Sequence, residues 1–279
     1  MHLRSHHLPL SFSTNSIVSF KSQCDLGKYS DPSNGVATCT DCMLGKFQAS
    51  IGKPSCDVCA AGSETVSAGA SVCSSCAAGT HKPTCGSWAT CSRDCDDCDG
   101  GTFSLATAGS CSVCLGGKYS AAKSAECGLC SSGRYSADGA TTCTECAAGK
   151  FTAIAGQSSC ESCAAGKFTG ANSNSCSDCS PGSYSSSGAA TCSACVAGTF
   201  STGGVETCSA CASGKYNNAA SSSACADCSS GKHASATGCT ECADCLAGKY
   251  STSGLASCIN CQAGTFAEFD GSAYCATCR

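Results

Sequence analysis

Cysteine is the residue that could do chemistry in this chain, and its spacing is regular. The 279 residues include 34 Cys, and sixteen Cys-x-x-Cys doublets run from Cys39 to Cys278. Four thiolates from two doublets make a tetrahedral zinc site, and Cys39/Cys42 with Cys56/Cys59 has a tolerable spacing for one. Such a site consumes two doublets, so the spacers should alternate between two types. They do not: the repeat is one doublet long. An intracellular zinc-binding Cys-x-x-Cys repeat protein is therefore the alternative reading. A dithiol oxidoreductase needs one exposed doublet on an α/β fold with a lowered thiol pKa, which sixteen equivalent doublets without helical periodicity do not offer. The five histidines are His2, His6, His7, His81 and His233, and none sits beside a plausible nucleophile and acid. The expectation is a protein that is not an enzyme, with no catalytic residue, no metal ligand and no cofactor.

Oxidised cysteines fit the pattern better. A rule that repeats every module must pair the cysteines. One rule joins the second cysteine of a doublet to the first of the next. The other joins the two within a doublet, which makes a small strained ring more typical of redox sites. The first is preferred. It gives Cys24–Cys39, Cys42–Cys56, Cys59–Cys73, Cys98–Cys111, Cys114–Cys127, Cys130–Cys143 and Cys146–Cys160. It continues with Cys163–Cys176, Cys179–Cys192, Cys195–Cys208, Cys211–Cys225, Cys245–Cys258 and Cys261–Cys275. Connectivity stays open at Cys76, Cys85, Cys91 and Cys95, which can satisfy one another, and among Cys228, Cys239 and Cys242, which leave one spare. Cys278 has no partner under this rule.

The elements that would hold these cysteines are short. In Cys146-Ala-Ala-Gly149-Lys150-Phe151-Thr152, Gly follows the cysteine by three, and Tyr or Phe follows Gly by two. Gly at one fixed offset serves a positive φ or a close backbone approach. An aromatic followed by Ser or Thr suggests a short strand, and a Gly/Ser/Ala-rich turn then leads back to the next cysteine. Each module reads as a small hairpin closed by a bridge, with the ring, Tyr or Phe in twelve modules, lying on the bridge and on the next module and supplying most of the scarce apolar burial. A bridge closing such a loop contributes on the order of 3 kcal/mol. The period is 16 or 17 residues, the mark of an array in which units touch their neighbours. Residues 24–97 carry repeats with an irregular module at 76–97, which holds the only Trp, Trp88. Residues 98–227 carry regular repeats, 228–244 a second irregular module, and 245–279 further repeats that end in mid-module. His81, His233 and Glu64 stand where an aromatic is expected.

Composition agrees with many small units. Leu, Ile, Val and Phe together number only 31, too few for one large core to offset the cost of ordering the backbone. The net charge is −4, and no basic block exists to grip nucleic acid. Eight of the twelve lysines follow the module glycine: Lys28, Lys46, Lys118, Lys150, Lys167, Lys215, Lys232 and Lys249. Such a row suits an anionic glycan. It also suits plain solubility, because many doublets place an acid (Asp41, Glu145, Glu161, Asp178, Asp227) a few residues before such a lysine. Residues 1–23 read as a disordered or non-native leader. Their apolar stretch is too broken for a signal peptide, no stretch is long enough for a membrane helix, and the chain reads as a fragment of a longer secreted or surface protein.

Cys-x-x-Gly-[Lys/Thr]-[Tyr/Phe]-Ser…Cys-x-x-Cys in tandem resembles the ephrin-receptor-like cysteine-rich repeat, over roughly residues 24–278. Each loop is similar to the smallest single-bridge module of tumour-necrosis-factor receptors. The resemblance implies a small disulfide-rich repeat protein: an elongated ladder of short β-hairpin modules with almost no helix. It also implies an extracellular or cell-surface location and a role as stalk, adhesion segment or receptor-ectodomain interaction surface. The partner expected is another protein or a surface glycan, with any membrane attachment outside this chain.

Overall fold

The computed structural model describes residues 23–31, 38–83 and 94–279. The leader at 1–22 and Cys85, Trp88 and Cys91 lie outside the described residues. The chain divides into two compact units: one runs to Asp97 and includes Leu105–Ser110, the other comprises Cys98–Ser104 and Cys111–Arg279. The described residues form fifteen two-stranded antiparallel sheets and no helix.

In the first unit Lys28–Ser30 pairs with Cys39–Asp41, Lys46–Phe47 with Asp57–Val58, Ser63–Glu64 with Ser74–Ser75, and Thr80–His81 with Asp96–Asp97. In the second unit the same hairpin recurs from Thr102–Phe103 with Ser112–Val113 to Thr265–Phe266 with Ala276–Thr277. The outgoing strand is in most modules a cation, Ser or Thr followed by an aromatic. The return strand is the two residues inside a Cys-x-x-Cys doublet, so Lys150 faces Ser162 and Phe151 faces Glu161.

The turn into each outgoing strand explains the fixed glycine. The Ala147 carbonyl accepts the Lys150 N–H at 3.0 Å, with Gly149 at φ +81° in the third position, the left-handed geometry a type II turn requires. The Gly149 carbonyl then accepts the Cys163 N–H at 2.9 Å. One glycine thus opens the hairpin and receives the bond that closes it.

Two-residue strands are too short to stand alone, and the modules are stitched to one another through the backbone. In the second unit the Gly117 N–H donates to the Ser136 carbonyl at 2.8 Å, in the following module, and the Gly139 N–H of that module's turn returns a bond to the Cys114 carbonyl at 2.8 Å. The same two bonds recur at Gly166/Ser185 with Gly188/Cys163, and at Gly231/Ser251 with Gly254/Cys228. The first unit repeats them at Gly27/Gln48 and Gly52/Cys24.

The core differs from the sequence expectation. The rings do not supply most of the burial. All twelve are half-buried or exposed, and Tyr119 and Phe266 are 38% and 44% exposed. What is buried is the first cysteine of every bridge but the last, Cys261–Cys275, together with the residue after the ring: Ser104, Ser120, Ser136, Thr152, Thr169, Ser185, Ser201, Asn217 and Ser251. In a two-residue strand the ring turns outward, and the next residue carries its hydroxyl or amide inward against the preceding module. A hydroxyl fits there because the wall it meets is backbone.

The modules read as irregular keep the hairpin. His81 faces Asp96 and His233 faces Ala243 in the ordinary register. Glu64 faces Ser74, and its carboxylate accepts the Cys95 N–H.

Candidate functional site

The described residues hold fifteen disulfides. In the first unit Cys24 is bonded to Cys39, Cys42 to Cys56, Cys59 to Cys73 and Cys76 to Cys95. In the second unit Cys98 is bonded to Cys111, Cys114 to Cys127, Cys130 to Cys143, Cys146 to Cys160, Cys163 to Cys176 and Cys179 to Cys192. Cys195 is bonded to Cys208, Cys211 to Cys225, Cys228 to Cys242, Cys245 to Cys258 and Cys261 to Cys275. The Cα atoms of each pair lie 5.4–5.9 Å apart, within the range a bridge spans without backbone movement. Each doublet therefore divides its cysteines between two successive bridges. Two free thiols stand among the described residues: half-buried Cys239 and exposed Cys278.

This arrangement corrects the intracellular zinc alternative. A disulfide sulfur has no thiolate to offer a metal, and thirty cysteines are spent in the fifteen bridges. The one cluster within the second unit that gathers potential ligands, His233 with Cys245 and Cys258, contains a bonded pair.

The acids also find a different partner from the one their spacing suggested. Asp41 finds its ion-pair partner on its own hairpin. It pairs with Lys28, behind it in sequence and opposite it on the hairpin, at 2.8 Å. The same cross-strand pair forms at Arg134–Glu145, Lys167–Asp178, Lys215–Asp227 and Lys232–Asp244, at 2.6–2.7 Å. Asp41's hydrogen bond and charge hold the Lys28 ammonium above the usual lysine range. These side chains are 39–65% exposed, so each pair acts as a local neutraliser more than a stabiliser. Lys118, Lys150 and Lys249 face Leu129, Ser162 and Asn260 instead.

On the outer face, notches open between successive hairpins of the second unit. One is lined by Tyr119, Leu129, Arg134 and Thr142 with Cys143 and has a volume of about 350 Å³. Another is lined by Phe200, Ala210, Lys215 and Ala224 with Cys225, about 450 Å³. A third is lined by Tyr216, Asp227, Lys232 and Glu241 with Cys242, about 500 Å³. Each places a ring from one module beside the bridge and the cation of the next. Shallow notches with an aromatic wall and a charged rim suit contact with a protein surface. Leu115, Val196 and Leu246, each following a cysteine, are 66–68% exposed.

Sequence reasoning missed the inward hydroxyls. The Oγ–H of Ser136 donates to the Lys118 carbonyl, Ser201 to Ser183 and Ser251 to Lys232, at 2.8–2.9 Å. The Asn217 amide makes the same bond to Thr199 at 2.7 Å. The signal was a polar residue directly after the ring, in nearly every module, and it reads equally well as a strand former.

Among the described residues no helix is long and apolar enough to cross a membrane. Among curated proteins, none matches the chain. Residues 27–76 and 133–179 match the family model described as tyrosine-protein kinase ephrin type A/B receptor-like. The same glycine turn, hairpin and bridge recur through both units, so the chain is a tandem array of cysteine-rich modules, two stretches of which match that family.

Proposed function

We propose that the chain is the non-enzymatic, extracellular part of a cell-surface or secreted protein, and that its repeats act as an adhesion or receptor-ectodomain interaction surface. The bridges point to an oxidising compartment, and the family is a non-catalytic ectodomain type. The observation that carries the reading is the exposed face of the second unit, where ring, bridge and cation recur in successive notches.

The partner is another protein. A glycan reading needs a row of unpaired cations, whereas five cations of this row are neutralised across their own hairpins. The bridges and the module limits, including 76–97 and 228–244 as units of the array, are proposed as those of the secreted protein.

Secretion from a eukaryotic host behind a supplied leader, followed by binding to intact cells, tests this. Saturable binding that protease treatment of the cells abolishes and heparinase treatment spares is expected. Loss of binding after heparinase alone transfers the reading to glycans. Bound zinc in place of bridges in the secreted protein overturns it.

A further inference from the structure

In four modules of the second unit a phenyl or phenol ring stands beside the bridge of the next module: Tyr119 with Cys143, Phe200 with Cys225, Tyr216 with Cys242 and Tyr250 with Cys275. His233 takes that place before Cys245–Cys258. Its Nδ1 lies 3.1 Å from the Cys258 Sγ and 3.1 Å from the Ala243 carbonyl oxygen. A carbonyl oxygen only accepts, so Nδ1 carries the hydrogen, and that N–H points between the oxygen and the sulfur. The imidazole and both sulfurs lie within 4.8 Å of one another. Cys245 is fully buried and Cys258 is half-buried, so Cys258 is the more accessible of the two to a thiolate from solvent.

We propose that Cys258 is a site of thiol–disulfide exchange, at which a small external thiol opens Cys245–Cys258 ahead of the neighbouring bridges. The external thiolate attacks the Cys258 Sγ and forms a new S–S bond there. The Cys245–Cys258 bond breaks, and its electron pair leaves with the Cys245 sulfur, which takes up a proton. A second external thiolate attacks the external sulfur of the mixed disulfide and releases Cys258 as a thiolate. In sum, two external thiols are oxidised to their disulfide and the bridge is reduced to two thiols. His233 assists at both stages. Its ring, within 4.8 Å of both sulfurs, donates toward the departing Cys245 sulfur, and its N–H stabilises the Cys258 thiolate. Phe200 and Tyr216 have no ring N–H to do either for the bridges they face.

The test is graded exposure of the full oxidised chain to reduced glutathione, alkylation of the thiols released, and peptide mapping. A glutathionyl adduct on Cys258 with alkylated Cys245 is expected first, about tenfold faster than opening of Cys228–Cys242, a modest part of what a positioned proton donor contributes. His233→Phe installs the residue other modules carry and keeps a ring at the position. It should slow this bridge to its neighbours' rate. Opening in step with the other bridges, an unchanged rate in H233F, or earlier opening of Cys261–Cys275 would each overturn the proposal.

Discussion

Gly101 lies against the carbonyl of Gly139, two modules ahead: a Cβ on Gly101 would stand 2.0 Å from that oxygen. The relationship recurs within the second unit, at Gly149 with the Gly188 oxygen, 2.0 Å, and at Gly231 with the Gly271 oxygen, 1.9 Å. In the first unit Gly27 meets the Gly69 oxygen at 1.9 Å. A module therefore touches not only its successor, through hydrogen bonds, but the one after it, through bare backbone.

This contact separates two glycines of the same motif. Gly149→Ala forces a methyl into the Gly188 carbonyl and strains a φ of +81°, so a loss of about 3 kcal/mol is expected. Gly264 has φ +86° and no atom within 4 Å of the added carbon. There Gly264→Ala should cost only the backbone strain, about 1 kcal/mol. Urea unfolding of the two variants measures the difference, and equal losses would mean that the close approach is not rigid.

The buried hydroxyl offers a second measurement. Ser136 is 2% exposed and donates to the Lys118 carbonyl at 2.8 Å. Ser136→Ala leaves that bond unmade in a closed space and should cost about 1–2 kcal/mol. Ser136→Thr should be nearly neutral, because Thr152 and Thr169 fill the same slot in following modules. Thermal unfolding of both variants checks the pair.

These two residues also mark what could be read from the sequence. Gly149 was legible in kind, since a glycine at one offset in every module points to positive φ or close approach. Which carbonyl it approaches was not, because Gly188 lies two bridges away and only stacking brings it near. The hairpins were legible from Lys150-Phe151 and the return to the doublet. The core was not. Ring size suggested that Phe151 and its equivalents would be interior, yet a two-residue strand shows one residue to each side, and the bridges already occupy the inner one. Asp41 was likewise misplaced by sequence distance. Antiparallel register puts it opposite Lys28, whereas Lys46 belongs to the next hairpin.

The Lys28–Asp41 pair makes the array's response to base specific. The folded ammonium titrates above the ordinary lysine value of 10.5, through its hydrogen bond to Asp41 and then the carboxylate charge. A raised pKa means that the folded state holds the proton more tightly. The pair's contribution is then complete below the ordinary value and disappears as pH rises through the folded one. Titration of the Lys28 side chain by NMR should give a midpoint above the ordinary lysine value. In Asp41→Asn the Lys28 midpoint should fall back, with no change in fold at neutral pH. A Lys28 midpoint unmoved by this substitution would show that the pair does not persist in solution.

Removal of one bridge tests both the connectivity and the two-module reach of each contact. Cys146 and Cys160 are fourteen residues apart, and opening so short a loop should cost on the order of 3 kcal/mol. Peptide mapping of the unreduced protein should return Cys146 linked to Cys160, not to Cys143. In the double variant Cys146→Ser, Cys160→Ser, the loosened module carries Thr152, whose carbonyl takes the Gly133 N–H, and Gly156, whose N–H reaches Cys130. Gly156 is also the residue whose carbonyl lies against Gly117. Hydrogen exchange should therefore quicken at Gly133, Gly149 and Gly156 and stay unchanged at Gly214 and Gly231, whose partners Ala234 and Ser251 lie several modules away. Faster exchange throughout the second unit would instead show that its repeats fold as one block. If Cys143 is found bonded to Cys146, the stacking of hairpins through successive doublets has to be rebuilt from a different set of bridges.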